Sequence, residues 1–201
     1  MNTSHTLVST TDDYAHAPAA GDEAHATTTG EYARATTTGD YSRASTAGYY
    51  AHATTAGNSS NAFTAGDFSN AVTAGDYAYA TTTGNDAHAT TAGDYAHATT
   101  TGAYAHAATA GRLTYATTTG DYAHATATGG HARASVAGEN AIAAAFGANS
   151  CARAANGGFI VLAQYDEDTI VAVKTAQVGK DGIKPDTWYR LDATGEFIEA
   201  D

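Results

Sequence analysis

The sequence predicts an all-β protein: a β-solenoid (parallel β-helix or β-roll) of nine-residue repeats, closed by a small C-terminal β domain. Three observations carry that prediction. Glycine recurs every nine residues from Gly21 to Gly147, fifteen times without insertion or deletion. Five residues after each of these glycines stands an alanine, from Ala26 to Ala152, without exception. Between them small and polar residues alternate, as in Ala96-His97-Ala98-Thr99-Thr100, which is the period of a strand with one buried and one wet face.

Residues 1–20 form a lead-in segment and N-terminal cap. Asp12 stands where the glycine phase would place one, and Asp13-Tyr14-Ala15-His16-Ala17 repeats the phrase imperfectly. Leu7 and Val8 are the large apolar residues available to cover the first coil, and Pro18 suits an edge strand with no hydrogen bond to donate.

Residues 21–156 are the array. The slot after glycine is mostly Asp, Glu or Asn, and Gly-Asp or Gly-Asn marks a tight turn because both residues tolerate unusual backbone angles. An aromatic slot follows (Tyr32, Tyr41, Tyr50, Phe68, Tyr77, Tyr95, Tyr104, Tyr122), then Ala or Ser, a variable polar slot, the fixed Ala, and a Thr-rich triplet. Slots three, five and seven after glycine, such as Ala96, Ala98 and Thr100, are the expected buried face; His97, Thr99 and Thr101 are the expected wet face. Alanine also favours helix, but a glycine every nine residues and dense β-branched threonine oppose it.

One strand and one turn cannot bury its own face, whereas stacked units can. Coils of two phrases or three are both compatible with the period. The alternation Ala74, Thr83, Ala92, Thr101, Ala110, Thr119 before successive glycines favours two-sided coils of two phrases each. Fifteen phrases then make about seven and a half coils, roughly 36 Å at ~4.8 Å per coil. An invariant alanine implies two sheets so close that only a methyl group fits between them.

At Val136, Ile142 and Phe146 apolar residues enter slots held by threonine or histidine upstream. Residues 157–201 have ordinary composition and read as a small β domain. Strands are expected at 158–165, 169–178, 188–191 and 196–198, with turns around Gly179 to Gly182 and Pro185. It caps the open solenoid edge or acts as an oligomerisation module through Phe159, Ile160, Val161 and Trp188.

Net charge is −12, which disfavours direct binding to nucleic acid or an anionic membrane. The lone Cys151 excludes an internal disulfide. The N-terminus shows no signal-peptide pattern and no stretch is long enough to span a bilayer, so the expected location is the cytoplasm of a host cell or a virion.

Two resemblances bear on origin. Gly138-Glu-Asn-Ala-Ile-Ala-Ala-Ala-Phe-Gly-Ala-Asn-Ser-Cys-Ala-Arg-Ala resembles the head repeats of trimeric autotransporter adhesins, which form a β-roll; here the period is nine and the outward slots are polar. The longer pattern is similar to uncharacterised phage and prophage repeat proteins. It comprises Ala-Thr-Thr-x-Gly-Asp-Tyr-Ala-x units ending in Phe159-Ile-Val-Leu-Ala-Gln-Tyr and Gly182-Ile-Lys-Pro-Asp-Thr-Trp-Tyr-Arg-Leu. That resemblance implies a mobile-element origin and no established activity.

Four chemistries bear on the residue pattern. On two-sided coils His52, His88, His106 and His124 share a row, but Arg34 and Asn70 interrupt it and no carboxylate or thiol completes a tetrahedral metal site. The Gly-Asp turns lack the denser Gly-Gly-x-Gly-x-Asp motif of calcium-binding β-rolls. Thr81-x-Thr83, Thr99-x-Thr101 and Thr117-x-Thr119 would stack into a small grid able to order water or ice, though structural ladders explain them as well. No nucleophile, base and orienting group form a readable set, so no enzyme and no cofactor is expected.

What remains is an acidic, rigid, tyrosine-lined rod. It suits a protein-binding role, the inhibition of a host defence or nucleic-acid-handling protein by occupying its basic groove. The candidate binding residues are Asp67, Asp76, Asp94, Asp121, Tyr77, Tyr95, Tyr104 and Tyr122, with Asp166, Glu167 and Asp168 in the tail. The alternatives are a structural or adhesive module of a virion or cell surface, which would form homo-oligomers through the cap, and an ice-binding protein.

Overall fold

The computed structural model describes residues 6–167, 169–180 and 182–200. They form strands and turns without a helix. The first eight strands are β1 (Leu7–Thr10), β2 (His16–Ala20), β3 (His25–Thr29), β4 (Arg34–Thr38), β5 (Arg43–Ala47), β6 (His52–Ala56), β7 (Asn61–Ala65) and β8 (Asn70–Ala74). Then follow β9 (Tyr79–Thr83), β10 (His88–Ala92), β11 (His97–Thr101), β12 (His106–Ala110), β13 (Tyr115–Thr119), β14 (His124–Thr128) and β15 (Arg133–Val136). The last six are β16 (Ile142–Phe146), β17 (Cys151–Ala154), β18 (Phe159–Asp166), β19 (Thr169–Gln177), β20 (Tyr189–Leu191) and β21 (Phe197–Glu199).

Odd and even strands sort into two sheets. One runs β1-β3-β5-β7-β9-β11-β13-β15-β17-β20-β21, the other β19-β18-β16-β14-β12-β10-β8-β6-β4-β2. Within the array every pairing is parallel and joins equivalent slots of alternate phrases, as in His97↔Tyr115 and His88↔His106. The chain is therefore a two-sided β-solenoid with two phrases per coil. Parallel stacking takes in β1 and β2 before the array and β18 after it, giving about nine coils rather than seven and a half. The final coil is one residue short, so Ile142 pairs with Phe159 and not with Ile160.

The expected inward slots are inward. Ala96, Ala98 and Thr100 are fully buried, and their counterparts repeat that burial along both sheets. Two features of the turn differ from the sequence expectation. The left-handed residue is the one in the aromatic slot, with φ of 59° at Tyr95 and 57° at Tyr77, and not the Asp of Gly-Asp. Its cost, about 1–3 kcal/mol for a non-glycine residue, is met by contacts between coils. The Tyr95 amide donates to the Arg112 carbonyl at 2.9 Å, and Tyr77 and Tyr95 stack at 4.8 Å. The glycine is required for a second reason besides the turn. A Cβ on Gly93 would collide with the carbonyl oxygen of Gly75 in the coil before, so the period is enforced by backbone packed on backbone.

The fourth-slot amide points back to the preceding coil, as in Arg34 to Ala15 at 2.8 Å. By alternation the sixth-slot amide points the same way. In β2 that residue is Pro18, so the open N-terminal edge lacks one donor there.

The C-terminal end is built differently. Ile160 and Leu162 pair in register with Ala143 and Ala145, and therefore occupy inward alanine slots. They are fully buried and join a cluster with Val178, Ile183 and Tyr189. β19 folds back antiparallel on β18, and β20 pairs antiparallel with β17 and β21.

Candidate functional site

The two turn edges carry the acids. On one edge the side chains of Asp22, Asp40, Asn58, Asp76 and Asp94 form a ladder. Each Oδ1 accepts the backbone N–H of the equivalent slot in the next coil, at 3.1, 2.7, 3.0, 2.8 and 2.8 Å respectively. The opposite edge makes the same bonds in shorter runs, interrupted at Tyr49 and Ala103: Asp13 accepts from Glu31, Asp67 from Asn85, Asn85 from Ala103 and Asp121 from Glu139, at 2.9, 2.7, 3.0 and 2.8 Å. The acid is thus part of the scaffold through one oxygen, and its second oxygen lies outside the ladder. Asn does the same structural work without the charge.

The structure divides the predicted binding residues between these edges. Asp76, Asp94, Tyr77 and Tyr95 lie on one, while Asp67, Asp121, Tyr104 and Tyr122 lie on the other. They form two rows and not one patch. Sequence reasoning missed the longest aromatic ladder: Tyr14, Tyr32, Tyr50 and Phe68 stack over four consecutive coils at 5.0 to 5.1 Å. Stepping two phrases at a time from Tyr14 would have found it. Asp166 and Glu167 are exposed at the β18–β19 hairpin, where Glu167 lines a recess together with Arg112, Gly129 and Gly147 of the last array turns, and Asp168 lies outside the described residues.

The sheet faces carry the other candidates. His88, His106 and His124 stack on consecutive coils with centroids 4.9 Å apart. Parallel rings at that spacing set their nitrogens side by side, whereas a metal needs them to converge at ~2.0–2.1 Å. Among the described residues no group of three or more His, Cys, Asp or Glu side chains could hold an ion. Burial, then the charges of His88 and His124, lower the His106 pKa below its usual value. Burial also lowers His97, which is stacked between Tyr79 and Tyr115, and His52, where Arg34 adds to the effect. On the other sheet Thr81, Thr99 and Thr117 stand in one column and Thr83, Thr101 and Thr119 in the next. The Thr119 hydroxyl donates to that of Thr101 at 3.3 Å, a bond along the ladder.

The four predicted oligomerisation residues do not form one surface. Ile160 is wholly buried, so its assignment to an interface is corrected: consecutive strand residues face opposite ways, and its register places it in the core. Phe159 is exposed on the outer face of its sheet, and Val161 is half-buried two residues along on the same face. Trp188 lies against Arg133 and Arg153, whose guanidinium carbons stand 5.2 and 4.7 Å from its ring, so it is stacked within its own chain. Cys151 holds the fourth slot yet is buried, and burial raises its thiol pKa. As a candidate surface, sequence reasoning missed β19. Ile170, Val171 and Val173 are each about half exposed, and their strand has a pairing partner on one side only.

A cleft of about 380 Å³ lies between the last coil and the cap, lined by Asn149, Ser150, Gln164, Tyr165, Glu167 and Arg190 among others. No protein-family model matches the chain, and no curated protein or solved structure matches it either.

Proposed function

We propose that this chain is a non-enzymatic, protein-binding β-solenoid that presents acidic rows to a basic, nucleic-acid-binding surface. Its role on this reading is to inhibit a host defence or nucleic-acid-handling protein, in keeping with the phage-type resemblance of its repeats. The observation that carries the reading is the pair of Asp ladders. Each carboxylate is held by the next coil's amide, so the charges are ordered before any partner arrives. Pre-ordered groups lose little freedom on binding. The charges are sparser than those of a phosphate strand, because Asn58 and Arg112 interrupt one row and Tyr49, Asn85 and Ala103 the other.

The test uses the substitution that the scaffold already tolerates. Asn58 and Asn85 accept the same amide bond at 3.0 Å, so Asp67→Asn, Asp76→Asn, Asp94→Asn and Asp121→Asn together remove charge and keep the ladders. Affinity capture from bacterial lysate is expected to recover a basic nucleic-acid-binding protein. Binding should weaken at least about tenfold in the fourfold variant and fall steeply with salt. Capture of no basic partner, or binding indifferent to both salt and the four substitutions, contradicts the proposal.

A further inference from the structure

We propose that the recess where the row of Asp76 and Asp94 runs out, at Arg112, Gly130 and Ala148, is a binding site for a small monocarboxylate with an apolar body. The site lies at the C-terminal end of that row and does not depend on a partner for the acids.

The row itself supplies the template for the ligand. In five successive coils a side-chain oxygen in the slot after glycine accepts the amide of the same slot one coil on. The last of these bonds joins Asp94 to the Arg112 amide at 2.8 Å. The slot then holds Arg112, Gly130 and Ala148. Arginine offers donors alone and glycine has no side chain. The amides of Gly130 and Ala148 therefore have no acceptor among the described residues. Both residues are still held in the stack. The Gly130 carbonyl accepts from the Leu113 amide at 3.0 Å, and the Ala148 carbonyl from the His131 amide at 2.8 Å. Two ordered donors thus stand one coil apart, ~4.8 Å, in the position that meets a carboxylate in the coils before.

The surroundings of these two rungs complete the site. Gly130 and Ala148 line a recess of about 360 Å³, and Arg112, Phe146, Tyr165 and Glu167 line it with them. Among the described residues Arg112 and Glu167 make no ion pair with each other, so the guanidinium is open to a ligand. A guanidinium beside backbone N–H groups selects an anion, and its fork suits a carboxylate. Phe146 and Tyr165 are half-buried and give the recess an apolar wall. Glu167 limits the charge: a second negative group on the ligand would meet a like charge, which disfavours dicarboxylates and phosphate. Gly130 keeps the place open. A Cβ there would meet the Ala148 carbonyl oxygen at 3.8 Å, an ordinary contact. An aspartate at that position would fit, complete the rung and exclude the ligand.

The experiment titrates the full, isotope-labelled chain with sodium phenylacetate and follows its backbone amides by NMR. The expected result is saturable movement of the Gly130 and Ala148 resonances. Phenylacetamide, glutarate and inorganic phosphate should each bind at least about tenfold more weakly. Gly130→Asp should weaken phenylacetate at least about 30-fold at an unchanged or raised melting temperature, and Arg112→Gln about tenfold. Glu167→Gln should narrow the gap between phenylacetate and glutarate. A short peptide ending in phenylalanine separates two sources of the same chemistry. Tighter binding than phenylacetate, lost on amidation of its end, assigns the carboxylate to a chain terminus, and weaker binding assigns it to a free small molecule. Should Gly130→Asp lower the melting temperature, Arg112→Gln and phenylacetamide decide the matter. The proposal is overturned if the two amides do not move, if phenylacetamide binds as well as phenylacetate, or if binding is indifferent to both Gly130→Asp and Arg112→Gln.

Discussion

The repeat array and the terminal coil solve one packing problem with opposite side chains. In the array the fifth slot holds alanine in every phrase, and those alanines are buried between two parallel sheets. One coil later, in register with Ala143, the same slot holds Ile160, and Leu162 follows in register with Ala145. The difference lies in the partner. Inside the array each rung faces another alanine rung of the other sheet. The terminal rung instead shares its cluster with Val178, Ile183 and Tyr189 of the cap. Alanine is therefore a consequence of repeated close approach, and ordinary core residues return as soon as the repetition stops. The array gains little from apolar burial, at about 0.8 kcal/mol per CH₂, and relies on hydrogen-bond and ring ladders between coils. The end relies on a small conventional core.

The largest expected effect breaks the array at its closest contact. Gly93→Ala would drive a methyl group into the Gly75 carbonyl oxygen and should destabilise by more than about 4 kcal/mol. Gly182→Ala, in the cap, meets no neighbouring atom and should cost about 1–2 kcal/mol from its left-handed backbone alone. Denaturant melts of the two variants against the parent measure that contrast.

An exchange of core residues comes next. Ile160→Ala should lose about 2–5 kcal/mol through the cavity it leaves. Ala98→Ile should lose about 1–3 kcal/mol or more through overpacking, although it installs a residue of higher intrinsic β preference. If Ala98→Ile proved neutral in a melt, close sheet approach would not be the reason for the alanine.

A smaller effect separates strain from stacking. Tyr95 is left-handed and stacked on Tyr77. Tyr95→Ala loses the stack and keeps the strain, whereas Tyr95→Gly loses the stack and relieves it. The glycine variant should be the more stable by about 1 kcal/mol in thermal melts.

Acid acts on the two regions in different pH windows. The pKa values of His52, His97 and His106 are lowered in the fold, so the unfolded chain takes up protons first as pH falls through about 6.5. Their contribution is present above that pH and is lost below it, down to the depressed values. In the cap Asp192 is held below its usual value by the Thr194 hydroxyl and then by the Glu196 amide. Its contribution is present above the unfolded carboxylate value of about 3.9 and is lost as pH falls from there through the folded value. The melting temperature should therefore begin to fall as pH drops through about 6.5, and His106→Asn should flatten that part of the profile. Asn70 already holds the same slot.

The array is legible because its rule is local: a period of two inside a period of nine assigns Ala96, Ala98 and Thr100 inward without reference to any other coil. What depends on contact between coils is not legible. The sequence marks Tyr95 as display, yet it bears the left-handed turn because its amide is satisfied by the Arg112 carbonyl of the next coil. Asp94 reads as a local turn former and a binding charge, yet its carboxylate accepts from the Arg112 amide. Ile160 is misplaced by sequence because Phe159-Ile160-Val161 is a continuous apolar run, and only the shortened final coil fixes which of the three faces inward. For the candidate site, composition finds the acids, but their division into two rows follows from pairing alternate phrases residue by residue.

If two phrases make one coil, outward residues in equivalent slots of alternate phrases are direct neighbours, and both ladders and rows depend on it. Disulfide formation in a background with Cys151→Ala tests this most directly. His88→Cys with His106→Cys, paired in adjacent strands, should cross-link readily under mild oxidation, since strands ~4.8 Å apart lie within disulfide reach. His88→Cys with Tyr115→Cys joins slots three phrases apart, which lie in different sheets, and should not cross-link within a chain. Cross-linking of the second pair in place of the first would contradict the two-sided coil and everything derived from it.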